Sequence, residues 1–120
     1  MRILVVDDHR NTREALALGL SHLATHVRTA GSAAAAMLEL EHFACDWLVC
    51  DVRMPVMDGI ELMQRVRTAR PEIRVLLMTA YDVTPHERQT IADAGAVLLI
   101  KPVTADAIAA RCGAATGAGG

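Results

Sequence analysis

The sequence predicts an α/β fold of five successive β-α units, a parallel sheet between two helical layers. Two observations carry this reading. First, four short apolar runs each end on a reactive polar residue: Ile3–Val6 into Asp7-Asp8, Trp47–Cys50 into Asp51, Val75–Met78 into Thr79, and Val97–Ile100 into Lys101-Pro102. Such continuous Val/Ile/Leu runs are how strands buried on both faces read. Second, a helical stretch with its own start signal follows each run.

Taken in order, the first run leads to a helix in which Asn11 is placed to cap and Glu14 lies three residues on, followed by Ala15, Leu16, Leu18, Leu20 and Leu23. His26-Val27-Arg28-Thr29-Ala30 alternates polar and apolar, the pattern of an edge strand. Ser32 caps a second helix running from Ala33 through Met37 to Leu40. After Asp51 comes the loop Val52-Arg53-Met54-Pro55-Val56-Met57. Asp58 then caps a third helix, with Glu61 at the capping-box position and Ile60, Leu62, Met63 and Val66 on its apolar face; it stops before Pro71. Thr84-Pro85-His86-Glu87 is a fuller start signal, with a Thr cap, Pro at the first helical position and Glu three after the cap. Gly95 closes this fourth helix, and Thr104 opens a short, Ala-rich fifth one. Residues 1–112 form one domain, and 113–120, all Gly, Ala and one Thr, read as a flexible tail or linker.

The 120 residues suffice for one compact domain with a full core. With 52% hydrophobic and only 2% aromatic residues, that core is aliphatic. The net charge of -2, with mixed signs along the chain, offers no basic stripe for nucleic acid. No apolar run approaches the ~20 residues that span a membrane, and Asp7-Asp8 interrupt any signal-peptide pattern. Three cysteines, Cys45, Cys50 and Cys112, in no framework spacing favour reduced thiols and a cytoplasmic location.

Parallel strands bring their carboxyl ends to one edge, where open α/β sheets bind ligands. Asp7, Asp8, Asp51, Thr79 and Lys101 therefore share one site. Adjacent carboxylates next to a core call for a cation. Mg²⁺, which uses few protein oxygens, suits two or three carboxylates and a loop carbonyl. Asp51 ends a central strand and is the candidate phosphoryl acceptor, since carboxylates form aspartyl-phosphates. Lys101 supplies a positive charge for the phosphoryl oxygens and the Thr79 hydroxyl a hydrogen bond. Singly, Asp7 and Asp8 also read as turn or capping residues, Thr79 as a strand-end polar group and Lys101 as a surface lysine; their joint order along the chain carries the reading. His22 and His26 lack further metal ligands. Cys50 reads as a small buried apolar residue, and Asp82, Glu87 and Asp93 as solvated charges.

The pieces Val5-Val6-Asp7-Asp8, Asp51-Val52-Arg53-Met54-Pro55-Val56-Met57-Asp58-Gly59, Thr79-Ala80-Tyr81 and Lys101-Pro102 resemble the receiver domain of two-component response regulators, the CheY-like family. The likeness implies a flavodoxin-like (βα)5 sandwich with strand order 2-1-3-4-5. It implies that Asp51 is phosphorylated from a phosphohistidine of a sensor histidine kinase or phosphotransfer protein. It makes Asp8 a direct Mg²⁺ ligand, Asp7 a ligand mostly through water, and the Arg53 backbone carbonyl a third ligand. Thr79, the Ala80 backbone and Lys101 would bind the phosphoryl group, with the bond to Pro102 often cis. Implied partners are an output domain or effector protein, with a homodimer also admitted. The switch position three residues before the lysine, usually aromatic, is Leu98 here.

Two enzyme or carrier classes fit less well. A phosphohydrolase of the haloacid dehalogenase type needs a second acid two residues after its Asp nucleophile, where this chain has Arg53. A flavin carrier needs a phosphate loop rich in Ser, Thr and Gly backbone donors, whereas the Asp7-Asp8-His9 turn here would repel the phosphate. The sequence thus favours a signalling switch over an enzyme acting on an external substrate, although such a domain catalyses its own phosphotransfer and autodephosphorylation.

Overall fold

The computed structural model describes residues 1–24 and 26–113; the predicted tail falls outside these apart from Gly113. The elements alternate strictly: β1 (Arg2–Val6), α1 (Arg10–Leu20), β2 (His26–Ala30), α2 (Ala33–Leu40), β3 (Trp47–Asp51), α3 (Gly59–Ala69), β4 (Arg74–Thr79), α4 (Pro85–Asp93), β5 (Val97–Ile100) and α5 (Ala105–Cys112). The five strands are all parallel, in the order β2-β1-β3-β4-β5. This is the flavodoxin-like order. β1 pairs with β2 on one side and with β3 on the other, so the connections leave β1 and β3 in opposite senses and open a crevice between their carboxyl ends.

Alternation along each strand divides the core in two. Leu4, Val6, Leu48, Cys50 and Leu77 pack with Ile60, Met63, Val66 and Ile91 on the face covered by α2, α3 and α4. Ile3, Val5, Trp47, Val49, Leu76 and Met78 pack with Leu16, Leu20 and Ile108 on the face covered by α1 and α5. β1, β3 and β4 are buried almost throughout, whereas β5 is half-buried at all four positions. The expectation that the fifth-strand run is buried on both faces is corrected by its place at the sheet edge.

Most of the predicted caps are made. The Ser32, Asp58 and Thr104 side chains accept hydrogen bonds from the amides of Ala35, Glu61 and Ala107. Thr84 and Glu87 form the complete reciprocal box. At Asp58 the bond to the Glu61 amide forms, but the Glu61 carboxylate pairs with Arg65.

The start of α1 differs from expectation. His9, with no side-chain cap bond, is the N-cap, and Asn11 lies inside the first turn. The chain turns earlier because Asp7 organises it: its Oδ1 accepts from the His9 amide at 2.8 Å and its carbonyl accepts from Arg13 Nη1 at 3.0 Å. Glu14 accepts from Arg10, one turn back. Leu16 and Leu20, one turn apart, are buried, while Leu18 lies on the opposite side and is exposed.

Gly59 matters for the site. Its amide donates to the Val52 carbonyl at 2.8 Å, and a Cβ there would collide with the Asp51 carbonyl. Only glycine lets α3 start directly against the end of β3.

Candidate phosphoacceptor site

β1 delivers Asp7 and Asp8, β3 delivers Asp51, β4 delivers Thr79, and β5 delivers Lys101 to the carboxyl edge of the sheet. Ligand oxygens of Asp7, Asp8 and Asp51 and a nitrogen of His9 lie within 4.8 Å of one another. Asp7 is fully buried, Asp51 nearly so, and Asp8 half-buried. Burying like charges this closely is costly without a cation.

One cation is built in. Lys101 Nζ donates to Asp51 Oδ2 at 2.9 Å and stands 3.7 Å from Asp7 Oδ2. Burial disfavours the ammonium, but the hydrogen bond to Asp51 and the charges of Asp51 and Asp7 together outweigh it, so the Lys101 pKa is raised above its ordinary value. The other carboxylate oxygen, Asp51 Oδ1, accepts from the Arg53 amide at 3.3 Å. One ammonium does not satisfy three carboxylates: among the described residues, Asp7 Oδ2 and Asp8 Oδ1 are buried with no hydrogen-bond partner. Two orphaned carboxylate oxygens facing a third carboxylate are a donor set suited to a small hard dication.

Thr79 is buried, and its carbonyl accepts from the Lys101 amide at 2.7 Å, joining the ends of β4 and β5 beside the cluster. The Lys101-Pro102 peptide is cis. Ala80 is exposed just beyond Thr79. Leu98 pairs with Leu77 in the sheet and packs, half-buried, against the α2-α3-α4 side of the core.

Sequence reading missed two features. His9 Nδ1 lies 3.4 Å from Asp7 Oδ1 and 3.3 Å from Asp8 Oδ1; its position directly after the acidic pair was the available signal. Asp82 and Glu87, read as solvated charges, are instead gathered by Arg53. Its guanidinium donates to Asp82 Oδ2 at 2.8 Å and to the Asp82 carbonyl at 2.7 Å. It also grips both Glu87 carboxylate oxygens, at 2.9 and 2.8 Å. Asp82 Oδ1 accepts from the Thr79 hydroxyl at 2.9 Å. Hydrogen bonds from Arg53 and then from the Thr84 amide lower the Glu87 pKa to about 2, and bonds from Arg53 and then Thr79 lower that of Asp82. These charges come from separate elements, so no local pattern announced them. The capping box nevertheless fixed Glu87 at the helix end nearest the site.

Two residues flanking the site have left-handed backbone, Val56 at φ 70° and Tyr81 at φ 75°, and both are exposed. A β-branched residue there is strained.

The family model described as response regulator receiver domain matches residues 3–112. Among curated proteins, the chain is 36% identical over 107 residues to "Response regulator protein FleR" of Pseudomonas aeruginosa, covering 89% of this chain and 23% of that protein. It is 38% identical over 112 residues to "Response regulator MprA" of Mycobacterium avium, covering 92% and 49%. It is 37% identical over 108 residues to "Sensor histidine kinase RcsC" of Salmonella typhi, covering 90% and 11%. The chain therefore spans less than half the length of these relatives. Among solved structures, a CheY-like receiver domain protein from Methanospirillum hungatei JF-1 superposes with TM-score 0.86 at 24% identity, covering 93% of this chain and 90% of that one. Vibrio cholerae chemotaxis protein CheY4 superposes with TM-score 0.82 at 26% identity, covering 93% and 95%.

Proposed function

We propose, for a chain that belongs to the family of response regulator receiver domains, that Asp51 accepts a phosphoryl group from a phosphohistidine of a partner kinase or phosphotransfer protein. Family membership makes this a phosphorylation-based signalling domain of two-component systems. The observation that carries the finer reading is the Asp51 carboxylate at the carboxyl end of β3, held by Lys101 Nζ at 2.9 Å beside the two unsatisfied oxygens of Asp7 and Asp8. An Asp51 oxygen attacks phosphorus and forms the O–P bond as the P–N bond of phosphohistidine breaks. The leaving imidazole keeps the electron pair and takes a proton. Lys101, already on Asp51, stays paired with the charge that arrives. Thr79, the last residue of β4, and the backbone of Ala80 just beyond it would receive the phosphoryl oxygens.

Asp7, Asp8, Asp51 and the Arg53 carbonyl are the groups that would hold Mg²⁺. When bound, Mg²⁺ supplies charge neutralisation for the transferring phosphoryl oxygens. The acceptor and its catalyst are one chain, so the domain acts as its own phosphotransfer and autodephosphorylation catalyst rather than on an external substrate. A cytoplasmic location accords with reduced buried cysteines. No helix of the described residues is long and apolar enough to cross a membrane. An output domain or effector would read the phosphorylated state from the α4 face at Pro85, His86 and Gln89, all exposed. Leu98, at the switch position, offers no ring or hydroxyl to fix two orientations.

Incubation with phosphoramidate, which carries the same P–N bond as phosphohistidine, tests the reading by intact mass. A Mg²⁺-dependent phosphoryl adduct on the wild type and none on Asp51→Asn is expected. Equal adducts on both proteins would refute the assignment.

A further inference from the structure

The Thr79 hydroxyl is not free. It donates to Asp82 Oδ1, and the other carboxylate oxygen of Asp82 is held by Arg53 Nε. Arg53 in turn reaches the Asp82 carbonyl and both oxygens of Glu87. Glu87 Oε1 also accepts from the Thr84 amide at 2.9 Å, closing the cap of α4. The chain of contacts therefore runs from the loop after Asp51, through Arg53, to the first turn of α4 and back to Thr79. The Thr79 carbonyl is fixed by the Lys101 amide, so the end of β4 is anchored and the side chain is the part that can turn. A hydroxyl has one proton to give. It cannot donate to Asp82 and to a phosphoryl oxygen together.

We infer that Asp82, oriented by Arg53, is a positioning residue that holds the Thr79 hydroxyl back from the acceptor site, so that engaging a phosphoryl group on Asp51 requires this latch to open. The inference rests on the phosphorylation reading above. A fork in which Arg53 binds two carboxylates at once is pre-organised and adds specificity. Its partners sit on the loop after β4 and on α4, so the carboxylate that holds Thr79 is tied to the helix start through Arg53. The latch couples the occupancy of Asp51 to α4 through a differential interaction: one contact exists only in the resting state and a competing one only in the phosphorylated state.

Two linked experiments on the full chain decide this. In the metal-free protein, a double-mutant cycle of unfolding stability with Thr79→Ala and Asp82→Ala should be non-additive, and Thr79→Ser should restore the coupling. Additivity would overturn the latch. Next, beryllofluoride with Mg²⁺ is titrated as a phosphoryl stand-in and followed by amide chemical shifts. Asp82→Ala should bind it about fivefold more tightly than wild type, the scale of one competing hydrogen bond. Its amides at Thr84 and His86–Arg88, at the start of α4, should already lie part-way toward their bound positions in the free protein. In a Thr79→Ala background, Asp82→Ala should leave the affinity unchanged. Wild-type binding with no gain in Asp82→Ala would overturn the latch and leave the phosphoacceptor assignment standing. No binding by the wild type would overturn the assignment and the latch with it.

Discussion

Replacing Asp7 with Asn should stabilise the metal-free protein, which is the reverse of what a buried, hydrogen-bonded side chain usually does. An Asp7 oxygen lies within 4.8 Å of oxygens on both Asp8 and Asp51. With all three charged and an effective dielectric of about 20, each repulsion is about 3.5 kcal/mol or more. Lys101 Nζ, at 3.7 Å, returns about 4.5 kcal/mol on the same scale. The balance is a net repulsion of about 2.5 kcal/mol on Asp7. Asn retains an oxygen for the His9 amide, which now donates to Asp7 Oδ1, so the turn into α1 survives the change. The expected gain in EDTA is therefore about 2.5 kcal/mol, or roughly 8 to 12 °C in Tm for a domain of this size. Saturating Mg²⁺ should raise the wild type by an amount set by mass action, about 2.7 kcal/mol at a hundredfold excess over Kd. It should raise Asp7→Asn by much less. Thermal unfolding at about pH 8, with EDTA or Mg²⁺, reads all four values. A variant less stable than wild type in EDTA, or one that gains equally from Mg²⁺, would refute the electrostatic reasoning.

Three further outcomes follow from particular contacts. Gly59→Ala should cost about 2 kcal/mol or more and suppress phosphorylation, because the added methyl collides with the Asp51 carbonyl; full labelling at normal rate would show that the contact can relax freely. Val56→Gly should raise stability by about 1 kcal/mol in denaturant unfolding, since φ 70° strains Val and not Gly; a loss would mean that the exposed side chain contributes more than its strain costs. The Glu87 carboxyl, lowered from 4.5 to about 2 by Arg53 first, stabilises the fold fully above about pH 4.5 and loses this as the pH falls toward 2, because the unfolded chain takes up the proton first. The stability gap between wild type and Glu87→Gln should thus be constant above about pH 4.5 and shrink below it; a gap unchanged at about pH 3 would rule out the ion pair.

The fold was legible because the signals were local. Apolar runs such as Val75–Met78, caps such as Ser32 and Thr84, and the polar residue after each strand are read within a few positions of one another. Parallel topology then does the rest, carrying Asp7, Asp51, Thr79 and Lys101 to one edge across a span of more than ninety residues. What was not legible depends on side chains choosing partners in space. Asn11 and Glu14 have the letters of a cap, but the carboxylate and carbonyl of Asp7 had already set the helix start. Arg53 lies 29 residues from Asp82 and 34 from Glu87, and nothing in its own neighbourhood specifies either partner. Leu18 has the right chemistry for the core but the wrong angle on α1.

The phosphoacceptor assignment is tested most directly by locating the modification. Borohydride reduces an aspartyl-phosphate to homoserine, and tandem mass spectrometry of the reduced protein then names the residue. After treatment with phosphoramidate and Mg²⁺, homoserine is predicted at position 51 alone, and nowhere when EDTA replaces Mg²⁺. Homoserine at position 7, 8 or 58, or equal conversion of Asp51 in EDTA, would contradict the assignment.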